Sequence, residues 1–185
     1  FTSFYNRTHK RSGTLWDARF RSVLVEEDEA LLVMASYIDL NPVRAGLCND
    51  PKNYRHCGLG EACAGKPEAL GAMIDLMHRA RGTYLLSDEA VYAYRHFAIT
   101  CEGRPSKTLT ADVSAELSKL SKAELLRCRV RYFTRGLAIG SKDFVENIFQ
   151  HHREHFGPKR ETGARRMKGS WGGLCSARDL KVPVT

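Results

Sequence analysis

Residues 26–42 constrain this chain more than any other stretch. Glu26, Glu27, Asp28 and Glu29 form an acidic run, Leu31, Met34, Ala35 and Ile38 follow at helical spacing, and Asn41 precedes Pro42. Negative charge is favourable at a helix N-terminus, the spacing makes one apolar stripe, and proline disfavours helical angles in the residue before it. The run predicts a core-facing helix that ends or kinks at Asn41. Tyr37 and Asn41 lie one turn apart at the edge of the stripe, so the phenol and the carboxamide share a face and can look into a cleft. On spacing alone, such a tyrosine is an ordinary packed ring with its hydroxyl at the surface.

The rest of the chain divides by composition. Arg11-Ser12-Gly13 reads as a turn, and 18–25 alternates apolar with basic or polar residues as a half-buried strand does. Residues 57–67 turn to Gly, Ala and Cys and read as a domain exit. Helices are expected over 68–81 and 87–98, the second capped by Ser87. Gly103-Arg104-Pro105-Ser106 is the clearest linker. Beyond it, Ser121 with Glu124 forms a capping box for a helix through Arg135, closed by Gly136. Ser141 caps another helix, with Phe144, Val145, Ile148 and Phe149 as its stripe. From Gly157 the chain is polar, basic and Gly-rich, and reads as a tail ordered poorly or only by a partner.

The formal net charge of +8 favours a polyanionic partner, and the charge is clustered. Residues 1–21 hold five Lys/Arg against one acid, and 158–185 hold seven against two. Six cysteines with no Cys-x-x-Cys pair argue against a zinc ribbon and suit a reducing compartment. No apolar run approaches the ~20 residues of a membrane span.

Two linked strings carry a resemblance. Tyr37-Ile38-Asp39-Leu40-Asn41-Pro42-Val43-Arg44-Ala45-Gly46-Leu47, followed by Asp50-Pro51 and Tyr54, resembles the tyrosine motif of REP-associated tyrosine transposases, members of the HUH superfamily of single-strand DNA transposases. Phe4-Tyr5-Asn6-Arg7, Arg11-Ser12-Gly13, Leu15-Trp16, Arg19-Phe20 and Ser22 are similar to the same family's upstream motif, at the same distance from the tyrosine. Together they cover about the first third of the chain. The family's His-hydrophobic-His triplet is absent, because no two of the seven histidines are separated by a single residue. The expectation is that the metal-binding strand and most of the sheet precede Phe1.

The resemblance implies an α+β fold in four segments. Residues 1–58 would be the C-terminal part of a truncated ferredoxin-like HUH transposase core, a strand plus the nucleophile helix. A mainly α-helical C-terminal extension would follow: a helical connector over 59–105, a helix-turn-helix-like module over 106–157 and a basic tail over 158–185. It implies a cytoplasmic, nucleoid-associated protein that cuts and rejoins single-stranded or hairpin DNA through a 5′-phosphotyrosine. Tyr37 maps to the nucleophile and Asn41 to the third ligand of a divalent cation, Mg²⁺ or Mn²⁺, in the intact protein. The alternative is a non-catalytic DNA-binding remnant or regulator, in which Asn41 is a helix cap.

Arg7, Lys10, Arg11, Arg19, Arg21 and Arg44 are candidate DNA contacts, with Trp16 and Tyr5 as stacking rings and Phe20 as core. Ala18 stands where relatives commonly have glycine, which puts close backbone approach to DNA there in doubt. His151 and His155 fall one turn apart on an expected helix. That spacing can hold a metal, but a solvated face is the preferred reading. The helices expected at 121–135 and 142–155 carry Arg127, Arg129, Arg131 and Arg135. They could form a duplex-binding pair, although ordinary packed helices are preferred.

Overall fold

The structure is a computed structural model and describes residues 1–13, 22–100, 131–168 and 171–181. Trp16, Ala18, Arg19, Phe20, Arg21, the 103–106 linker, the Ser121–Glu124 capping box, Arg127 and Arg129 lie outside the described residues. The elements run α1 (Thr2–Thr8), β1 (Leu24–Val25), α2 (Glu29–Asp39), α3 (Asn41–Arg44), a 3-10 turn (Pro51–Asn53), α4 (Gly58–Cys63), α5 (Pro67–Arg81) and α6 (Ser87–Thr100). They continue as α7 (Arg131–Thr134), β2 (Gly136–Gly140), α8 (Lys142–His151), a second 3-10 turn (Arg153–His155), β3 (Arg165–Arg166) and β4 (Cys175–Arg178).

The fold is α+β. Its four-stranded mixed sheet has the order β1-β2-β4-β3, with β1 parallel to β2 and the other two pairs antiparallel. Three of these four strands come from residues 136–178, so the C-terminal extension, helical over most of its described length, also supplies most of the sheet. The helix-turn-helix-like reading is corrected, since the segment expected to be a turn is β2. Gly136-Leu137-Ala138-Ile139-Gly140 is buried throughout, and a strand buried on both faces reads as a short apolar run with no alternation to reveal it. The polar tail is folded as well. It supplies β3 and β4, and Trp171, Leu174, Cys175 and Ala177 are buried.

One hydrophobic cluster draws on most of the described segments. Leu32, Leu59, Met73, Tyr94, Ile139 and Trp171 all belong to it. A second cluster forms where Val145 and Phe149 of α8 meet Phe156 and Ala177, which is the apolar stripe expected for that helix. Arg160 fastens the loop around it. Its guanidinium lies over Phe149 and Phe156, donates to the carbonyls of Thr162 and Gly163 (2.9 and 2.7 Å), and also reaches the carbonyl of Arg178. A basic residue of the expected tail is thus a structural cation.

The caps follow partly as expected. Ser141 accepts from the Phe144 amide at 3.2 Å and caps α8. The acidic run before α2 does something else, because only Glu29 sits in that helix's first turn. Glu26 crosses the sheet instead. Its carboxylate accepts from the Ser141 amide at 2.5 Å and from the Ser141 hydroxyl at 2.9 Å, adding negative charge to the α8 N-terminus.

The buried face of α2 is rotated from the expected stripe. Ala30, Leu32, Val33, Ser36 and Asp39 are buried, whereas Ile38 is 55% exposed. The helix also carries a second set of small and apolar residues, and α5 and α6 both pack on α2. That set includes a carboxylate, which helical patterning assigns to water.

Candidate functional site

Pro42 kinks the helix rather than ending it. Leu40 keeps right-handed helical angles, and Asn41 opens α3 with Pro42 in its first turn. The Arg44 amide bonds back to the Leu40 carbonyl at 3.0 Å, so the chain continues around the break. This brings the Arg44 side chain over α2. Its Nη1 donates to the Tyr37 carbonyl at 2.7 Å and to Asn41 Oδ1 at 3.2 Å. Its guanidinium carbon lies 4.6 Å from the Tyr37 ring centroid. A cation over a ring in this setting is worth about 0.5–1 kcal/mol.

Tyr37 is therefore held between two groups. Arg44 covers its ring on one side, and Phe133 of α7 stacks on it with centroids 4.3 Å apart and planes 18° apart. Phe133 in turn meets Trp171 edge-on at 5.5 Å. The wall beside the tyrosine is built by two residues far away in sequence. Their aromatic character was the only signal that could have found them; Phe133 lay in an expected helix and Trp171 in the expected tail.

Asn41 lines a surface cleft of ≈ 410 Å³ with Ile38, Pro42, Leu47, Tyr54 and His56. Tyr37 is not among the lining residues, so the shared face of Tyr37 and Asn41 meets at Arg44 and not in the cleft. The amide oxygen of Asn41 is engaged by a guanidinium, and that positive charge disfavours a second cation on the same atom. Residues here do not fit a metal centre as arranged. Among the described residues, one group brings three ligand atoms within 4.8 Å of one another: His152, Glu154 and His155. The helix stops at His151, whose Nδ1 pairs with the Asn147 carbonyl at 2.8 Å, so the one-turn pairing of His151 with His155 is not made. His155 Nε2 instead stands 3.3 Å from Glu154 Oε1.

Behind the cleft lies the polar group that helical patterning missed. Asp39 is 6% exposed, accepts from the Tyr94 hydroxyl at 2.7 Å and takes the Leu59 amide at 3.4 Å. Burial, then the Asp39 charge, pushes the Tyr94 phenol far above its usual range. A raised folded-state pKa means stability is fully present below the unfolded phenol's value near 10 and falls as pH rises beyond it. Unfolding free energies from urea titrations at pH 9 to 11 are expected to drop for the wild type by about 1.4 kcal/mol per pH unit above 10. The drop should be shallower in Tyr94→Phe, and parallel curves would rule out the buried phenol as the cause.

The turn that closes the cleft is fastened at three points. Asp50 Oδ1 accepts from the Lys52 amide at 3.0 Å, and Arg95 Nη2 reaches Asp50 Oδ2 at 2.5 Å. The Cys57 thiol sits against the carbonyls of Pro51 and Tyr54 (3.4 and 3.3 Å), and its sulfur accepts from the Gly60 amide to cap α4. Burial pushes the Cys57 thiol up, which keeps it protonated and structural.

The remaining basic candidates sit apart. Arg7, Lys10 and Arg11 are exposed on α1 and the loop after it, and α1 buries no residue. Tyr5 is half-buried, with the His9 ring at 4.2 Å and the Arg11 guanidinium at 6.0 Å. No helix among the described residues is long and apolar enough to cross a membrane. No family model matches the chain, and neither does any curated protein or solved structure.

Proposed function

We propose that this chain is part of a REP-associated tyrosine transposase that binds single-stranded or hairpin DNA and joins to it through Tyr37. The observation that carries this reading is the Arg44 contact, which gathers the Tyr37 backbone and ring and the Asn41 amide at one cationic point. In the reaction, the Tyr37 oxygen bonds to the phosphorus of a phosphodiester and loses its proton. The bond from phosphorus to the 3′ oxygen breaks, leaving a 5′-phosphotyrosine and a 3′-hydroxyl. The ester conserves the bond for rejoining, so no nucleotide cofactor is consumed. Arg44, half-buried beside the ring, is placed to offset phosphate charge, and Arg7, Lys10 and Arg11 would add salt-sensitive affinity. The pairing of β1 with a parallel neighbour next to α2 is compatible with an HUH-type core.

One observation favours a second reading. The Asn41 oxygen is taken by Arg44, as in a residue that braces a kinked helix and not in a ligand, which suits a protein that binds DNA without cutting it. The two readings separate on a denaturing gel. A labelled hairpin oligonucleotide with Mn²⁺ is mixed with this chain and with a form carrying a His-x-His strand. A covalent adduct is expected from the latter and is lost in Tyr37→Phe. Salt-sensitive binding without an adduct from either form would overturn cleavage and leave the binding reading.

A further inference from the structure

The cleft beside Asn41 has a chemistry that the tyrosine does not use. Its walls are Ile38, Pro42, Leu47 and Tyr54, with Ile38 and Leu47 left 55% and 66% exposed at the surface. Its volume of ≈ 410 Å³ lies in the range of small-ligand sites, about 300–1,000 Å³. Besides the Tyr54 phenol and the Cys57 thiol, two nitrogen-bearing side chains line it, and an arginine holds each through its acceptor atom. Arg44 Nη1 donates to Asn41 Oδ1 at 3.2 Å, and Arg55 Nε donates to His56 Nε2 at 3.0 Å. The amide therefore has its Nδ2 hydrogens left to offer. The imidazole, accepting at Nε2, carries its proton on Nδ1. A slot with apolar walls thus presents two N–H donors and has a cation behind each.

We propose that this cleft binds one unpaired guanine of single-stranded DNA, a proposal that rests on the DNA-binding reading above. A nucleobase is a flat ring with apolar faces, suited to packing against Ile38, Pro42 and the Tyr54 ring. Guanine offers two adjacent acceptors on one edge, O6 and N7, to match two donors. Adenine puts the N6 donor where guanine has O6, so one donor would face another. Arg44 and Arg55, each bonded to one of the two side chains, would supply positive charge for the flanking phosphates. This use of Asn41 needs its nitrogen and leaves its oxygen with Arg44.

The test is fluorescence anisotropy at fixed salt, using this chain and a labelled oligonucleotide of abasic residues that carries a single dG or dA. The dG oligonucleotide is expected to bind about tenfold more tightly. Asn41→Asp replaces the NH₂ donor with an acceptor, and His56→Phe keeps a ring without the donor. Each should reduce the preference, and the double variant should erase it. Both positions are exposed, so thermal melts should match the wild type. Equal affinity for dG and dA, or a preference that survives the double substitution, would overturn the proposal. An adduct forming equally on dG and dA substrates would sink the guanine slot alone. A dG preference, with no adduct from the form carrying a His-x-His strand, would uphold the slot and remove the transposase reading.

Discussion

Gly60→Ala is expected to destabilise the protein by about 3 kcal/mol or more, lowering its melting temperature by roughly 6–12 °C. Gly60 is buried in α4 against the turn that closes the cleft. A Cβ there would lie 2.1 Å from the Tyr54 carbonyl oxygen, 2.9 Å from its carbon and 3.1 Å from the Pro51 oxygen. All three are backbone atoms in a turn tied down by Asp50 and Cys57, so no flexible side chain can give way. The same substitution at Gly71 should have the opposite sign. Gly71 lies exposed inside α5 with nothing within 4 Å, and Gly→Ala in an open helix interior gains about 0.5–1 kcal/mol. Thermal melts followed by circular dichroism check both. A Gly60→Ala protein that melts with the wild type would mean that α4 does not rest on the turn.

Asp39→Ala should cost about 3 kcal/mol, measured as a shift in urea midpoint at constant m-value. The loss has two parts. The Tyr94 hydroxyl and the Leu59 amide lose their acceptor in a dry place, and a void opens at the end of α2. Asp39→Asn keeps the volume and one carbonyl oxygen, so it should lose less than half as much. If the asparagine variant is as unstable as the alanine variant, the charge matters and the hydrogen-bond acceptor does not. The cleft should respond too. Gly58, part of its lining, has its Cα hydrogen facing Asp39, where a built Cβ would stand 3.6 Å from Oδ1.

The α2 element was legible in advance, and so was the place of its kink. Proline restricts its neighbour through local sterics, which act whatever the surrounding fold. The helices at 67–81, 87–100 and 142–151 were also legible, the last through its Ser141 cap and apolar stripe. What α2 buries was not. Ile38 fits the stripe yet is exposed, and Asp39 breaks it yet is buried, because partners from α6 and α4 were available to satisfy the carboxylate. Such partners lie 55 and 20 residues away, beyond the reach of any window.

By itself, then, the sequence determined local matters: where helices start, where α2 bends, and that Tyr37 and Asn41 lie one turn apart. Each follows from interactions within about one helical turn. Only the tertiary structure decided that the basic C-terminal segment supplies two strands and that Phe133 walls the tyrosine. Those outcomes depend on contacts between distant segments. A five-residue apolar strand such as β2 carries no periodic signature until its neighbours, β1 and β4, are in place.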